Sequence, residues 1–138
     1  MKRQLLLLVP VLLAVILLPH ALGGSSSTRS ALVGKWAGRV SSVNFSSFAV
    51  TIEISPDSNS KAHLVGEGSP CFAEADLVVT ITGPNSVTLA GSSKAGESIT
   101  FKGALDSSEK QLDVNYITNG SASARCETDQ GVGTLDKQ

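Results

Sequence analysis

The chain has 138 residues, 41% hydrophobic, 17% charged and 4% aromatic, and its 11 basic and 12 acidic side chains give a formal net charge of -1. That length fits one small domain, and the hydrophobic share excludes a disordered chain. The near-neutral balance excludes the basic footprint that nucleic-acid binding requires.

Met1-Lys2-Arg3-Gln4 is a basic head, Leu5 to Leu18 an apolar run broken only by Pro10, and Ala21-Leu22-Gly23-Gly24 a small-residue stretch. This order is that of an export signal peptide over 1–23, with Ala21 and Gly23 at the -3 and -1 positions of a cut before Gly24. The run is shorter than the ~20 apolar residues of a membrane-spanning helix. An uncleaved anchor is the alternative. No cysteine lies near the junction to carry a lipid. The expected location is therefore secreted or periplasmic, with no stable membrane insertion after cleavage. Removal of Lys2 and Arg3 from the 11 basic residues leaves 9 against 12 acidic ones, a net charge near -3. That balance favours solubility over binding to nucleic acid or anionic membranes.

Residues 24–31, rich in serine, read as a flexible arm before a domain over 32–138. From there no stretch keeps helical periodicity, whereas period-two alternation recurs. In chain order the candidate strands are Gly34–Val43, Phe48–Ile54, Ala62–Gly66, Leu77–Thr82, Val87–Ala90, Ser98–Lys102, Leu112–Tyr116 and Val132–Leu135. Phe48, Val50, Ile52 and Ile54 alternate with Ala49, Thr51 and Glu53, which gives one buried and one wet face. Turn signals such as Ser55-Pro56-Asp57 and Gly83-Pro84-Asn85-Ser86 separate the strands. The fold class expected is all-β, an eight-stranded antiparallel up-and-down barrel.

In such a meander the odd-numbered connections share one end and the even-numbered ones the other. The odd connections are the longer, which marks their end as the mouth. The chain's two cysteines, Cys71 and Cys126, fall in the third and seventh connections. In an oxidising compartment an isolated pair reads as one disulfide, and closing a loop of about 56 residues would stabilise by roughly 4 kcal/mol in the chain-entropy model. A metal site needs three or four ligands, yet His63 is the only histidine after the leader. No metal and no cofactor are expected.

Gly34-Lys35-Trp36 at the head of the first strand, followed by Gly38, resembles the entry to the calycin superfamily of lipocalin-like and avidin-like barrels. The resemblance implies that Gly34 and Trp36 mark a closed base, with ligands entering the opposite mouth. Lipocalins usually cover this tryptophan with a basic residue near the end of the last strand, and here Lys137 is the one that is close. In size and plan the chain is also similar to small exported bacterial protease inhibitors, which implies a trunk over Ser25 to Leu32 that inserts into an enzyme cleft.

Chemistry is sparse. There is no G-x-S-x-G, and a single histidine cannot be assigned a base role without an orienting partner, so no enzyme is expected. His63 falls on an outward strand face, and Glu127 with Asp129 reads as a solvated loop tip. Phe45 and Phe72 are apolar residues in odd-numbered loops. They act either as lids over the core or, with Asn44, Lys94, Asn119 and Arg125, as the rim of a binding site. The expected function is a monomeric, non-enzymatic module that holds a small apolar or amphipathic ligand at the mouth. The alternative is a contact or inhibitor module that meets an extracytoplasmic protein through the arm or rim. The ligand at the mouth requires a cavity of at least ~300 Å³ among Val50, Ile52, Leu77, Val79, Leu89, Ile99, Phe101 and Val114, and a solid interior would remove that reading.

Overall fold

A computed structural model describes residues 24–57, 61–69, 73–93, 96–120 and 128–138. Eight strands form one closed barrel in sequence order: β1 (Gly34–Val40), β2 (Phe48–Ile54), β3 (Lys61–Glu67), β4 (Glu74–Gly83), β5 (Ser86–Ser93), β6 (Ser98–Leu105), β7 (Gln111–Asn119) and β8 (Asp129–Lys137). All neighbours are antiparallel, and β1 pairs with β8 to close the ring, with Trp36 opposite Lys137. The eight-strand meander read from alternation is the fold. The expected signal peptide, 1–23, lies outside the described residues.

Alternation sorts the side chains as the pleat requires. Val50, Ile52, Leu77, Val79, Leu89, Ile99, Phe101 and Val114 all face inward, none more than 6% exposed. Trp36, Leu112 and Leu135 are buried nearer the base. Towards the mouth Phe48, Phe101 and Tyr116 form an aromatic layer, with Tyr116 5.8 Å from Phe48 in an edge-on contact and 5.6 Å from Phe101.

The arm departs from expectation. Gly24–Leu32 is a helix, α1, and not an irregular tail. Nine residues are too few to hold a helix in water, and serine is a poor helix former, so tertiary contacts must hold it. Ala31 and Leu32 are buried in the barrel core, and the Thr28 hydroxyl donates to the Pro84 carbonyl of the β4–β5 turn. The last carbonyls of a helix have no partner within it. Here Trp36 Nε1 donates to Leu32 O at 2.8 Å, and Lys137 Nζ donates to Ala31 O while lying 5.3 Å from the Trp36 ring centroid. An ammonium at a helix C-terminus also meets the negative end of its dipole. Gly34, at φ 122°, makes the corner between α1 and β1, where a side chain would be strained. The Gly34–Trp36 signature thus closes the base, with α1 as the plug.

The end of β8 nearer the mouth also differs from its reading. The strand begins at Asp129, so Asp129, Gly131, Gly133 and Leu135 occupy its inward positions. Asp129 is 2% exposed, not a solvated tip. β7 likewise continues through Thr118 to Asn119, and Thr118 is fully buried.

Candidate functional site

The strand ends that flank the odd connections sit opposite α1, as the meander demands. Beneath them the interior turns polar. Thr118, Asp129, Ser93 and Glu97 are buried there, with the Ser93 hydroxyl on the Glu97 carboxylate and Glu97 N donating to Ser93 Oγ at 3.3 Å.

Asp129 organises the β1–β2 connection, residues 41–47. Its Oδ2 accepts from Tyr116 Oη at 2.7 Å and from Ser42 Oγ at 2.8 Å, and its Oδ1 accepts from the backbone N of Asn44 at 3.2 Å. Tyr116 has one hydroxyl hydrogen, so Ser41 O, at 3.0 Å, is its alternative acceptor. Burial alone would raise the Asp129 carboxyl. The hydrogen bonds from Tyr116, Ser42 and the backbone of Asn44 and Gln130 outweigh it and hold the group below its ordinary value. Phe45 N donates to Ser42 Oγ at 2.8 Å, and Asn44 Nδ2 reaches Thr128 O at 2.8 Å. The loop is thereby folded so that Phe45, half-buried, packs against the core.

Beside this loop lies a cleft of about 810 Å³. Half-buried Phe45 supplies its apolar surface over the buried Phe48, Asn44, Ser46 and Ser47 form its lip, and Arg39, Glu67 and Gly68 its sides. Arg39 and Glu67 flank Ala49 in the register of β1, β2 and β3. Arg39 Nη2 donates to Ser47 O at 2.6 Å and to Ser47 Oγ at 3.1 Å. Among the described residues neither Arg39 nor Glu67 forms an ion pair. The cleft is amphipathic, lined by one accessible aromatic ring, Phe45, together with a cation and an anion.

Of the rim set read from sequence, Asn44 and Phe45 line this cleft, and Phe45 is also a lid. Asn119 is exposed at the end of β7 and does not line it. Phe72, Lys94, Arg125, Cys71 and Cys126 lie outside the described residues, and the expected disulfide with them. Arg39, Glu67 and Asp129 were not singled out by the sequence reading. Arg39 and Glu67 were legible as outward residues at the mouth ends of β1 and β3. The described depressions lie on the rim and outer wall, and none is lined by the whole interior set. The interior cavity expected with a ligand at the mouth is not among them, and at the mouth end the depression is the one on the lip. His63 stands on the outer wall, with Nε2 3.0 Å from Glu74 Oε1 and Nδ1 3.0 Å from Asp76 Oδ1. No cluster able to hold a metal ion occurs among the described residues.

No protein-family model matches the chain, and no curated protein matches it. Solved structures do. EF1p2_mFAP2b bound to DFHBI is similar with a TM-score of 0.63 and 16% identity, over 80% of this chain and 98% of that one. A redesigned β-barrel gives 0.56 and 16% over 80% and 95%. A de novo designed fluorescence-activating β-barrel gives 0.54 and 13% over 80% and 97%. The likeness is one of fold: an eight-stranded barrel, with no calycin family singled out.

Proposed function

We propose that this protein is a non-enzymatic binding barrel that takes a small amphipathic molecule at the lip of its mouth. The observation that carries the reading is the cleft that Phe45 lines together with Arg39 and Glu67. Its volume of about 810 Å³ falls in the range of small-molecule sites, and a few charged groups around an apolar floor are what orient such a ligand. An aromatic or aliphatic body rests on Phe45 while an acidic group meets Arg39. The similar barrel bound to DFHBI and the fluorescence-activating one support a binding role for the architecture. The apolar leader supports action outside the cytoplasm, in a secreted or periplasmic protein. A trunk inserted into a protease fits less well, because Ala31 and Leu32 are buried in the barrel's own core.

Titration with 8-anilinonaphthalene-1-sulfonate, an aromatic body with an anionic head, tests the reading. Saturable binding is expected, weakened at least about fivefold, or roughly 1 kcal/mol, by Phe45→Ala and by Arg39→Gln while circular dichroism is unchanged. Absence of saturable binding, or binding indifferent to both substitutions, overturns it.

A further inference from the structure

The outer wall is divided by charge. Across β1 to β4 its outward positions carry Arg39, Glu53, Lys61, Glu67, Glu74 and Asp76. From β5 to β8 the middle of the wall carries only Lys102 and Asp113, while Asp136 stands at the base edge, bonded to Gln111. The register sets outward residues side by side: Val78, Ala90, Thr100, Ile117 and Gln130 in one row, and Thr88, Lys102, Asn115 and Val132 in the next. Val78, Ile117 and Val132 are 57%, 42% and 62% exposed. Two depressions, of about 830 and 540 Å³, share Lys102, Asn115 and Val132 and so form one continuous groove over β5 to β8.

A closed barrel has no free strand edge, so a partner must be met face to face and not by added strand pairing. The groove holds one cation and one anion. Lys102 pairs with Asn115, and Ala104 with Asp113, so the two charges stand two positions apart on neighbouring strands. Among the described residues they form no ion pair with each other. Asp113 is anchored by the Thr134 hydroxyl at 2.6 Å. A surface that carries both signs around an apolar centre can complement itself across a two-fold axis.

We infer that the β5–β8 wall is the interface of a homodimer, in which Ile117 and Val132 pack against a second copy and Lys102 meets the partner's Asp113. The occupant is a second copy because the two opposite charges around the valine and isoleucine complement themselves without any other chain. A dimer differs from the monomer expected from sequence, and its interface is independent of the mouth cleft.

Sedimentation equilibrium on the purified protein, from micromolar to hundreds of micromolar, reads the association. A monomer–dimer equilibrium is expected, weakened at least about tenfold by Val132→Asp. Lys102→Asp and Asp113→Lys each weaken it by about tenfold, and the double charge reversal restores it to within about threefold of the wild type. All four variants change outward residues, and circular dichroism verifies their fold. A monomer at every concentration overturns the inference and leaves the wall to a different partner. A dimer that these substitutions do not weaken, or that the double reversal does not restore, also overturns it.

Discussion

The Tyr116 hydroxyl lies 2.7 Å from Asp129 Oδ2, and both residues are buried inside the mouth end of the barrel. An ionised carboxylate accepts and cannot donate, so the tyrosine is one of the donors that make its burial tolerable. Tyr116→Phe keeps the aromatic contacts with Phe48 and Phe101 and removes only this donor. It is expected to lower stability by about 1–3 kcal/mol, read from urea midpoints at constant m value. A double-mutant cycle with Asp129→Asn should show coupling of at least about 0.5 kcal/mol.

The same carboxylate sets an acid response. Its folded value is depressed, so its contribution is complete above the unfolded value near 4 and is lost as pH falls through the lower folded value. Asp106 acts in the same direction in the base turn. Its carboxyl is held far below the usual range, first by the Ser108 hydroxyl and then by the backbone N–H of Gln111. Comparison of wild type with Asp129→Asn isolates the mouth. Between neutral pH and about pH 2 the wild type should lose more stability than the variant.

At the base, Trp36→Phe removes the donor to the Leu32 carbonyl and leaves a helix end unsatisfied. The expected cost is about 1–3 kcal/mol, with faster hydrogen exchange confined to α1 and its neighbours. Uniform acceleration across all eight strands would show that the plug and the barrel are one cooperative unit.

Glycines at the β1–β8 seam are required by close approach. A Cβ added at Gly131 would overlap the Ser41 carbonyl oxygen, which belongs to backbone and cannot swing aside. Gly131→Ala is expected to destabilise by more than about 3 kcal/mol or to prevent folding. At Gly83 the nearest atoms to such a Cβ are those of the Ser86 side chain at 3.6 Å. Gly83→Ala should therefore stay within about 1 kcal/mol of wild type, judged by thermal midpoints.

Glu109 is the one described non-glycine residue with positive φ, at 59°. A left-handed conformation costs a side-chain-bearing residue about 1–2 kcal/mol, partly offset by the greater chain entropy of an unfolded glycine. Glu109→Gly should raise stability by about 0.5–1 kcal/mol in denaturant unfolding.

These sites differ in how far the sequence discloses them. The strands with apolar inward rows, such as Phe48–Ile54 and Leu112–Tyr116, announce themselves because every second residue is a large hydrophobe. β8 does not. Its inward positions are Asp129, Gly131, Gly133 and Leu135, so the alternation has no side chain to show until its third step. The glycines are there because backbones nearly touch, a tertiary fact without a local signature, and with them Asp129 reads as loop. The helix over Gly24–Leu32 is hidden for a related reason: its formation depends on Trp36 and Lys137, both outside it. Trp36 at the base was legible from Gly34-Lys35-Trp36, as was the sharing of one end by Asn44 and Phe45. The pairing of Arg39 with Glu67 across Ala49 needed the register.

The plug at the base has a topological corollary. Gln138 N donates to Lys35 O at 2.9 Å, and Lys137 reaches α1, so the last strand ends where the first begins. Only the length of α1, about 1.5 Å per residue, separates a linker leaving Gln138 from Gly24. A circular permutant joined there and reopened in an exposed connection would retain all eight strand pairings. No strand of this ring is first or last in its pairings: the geometry itself is cyclic.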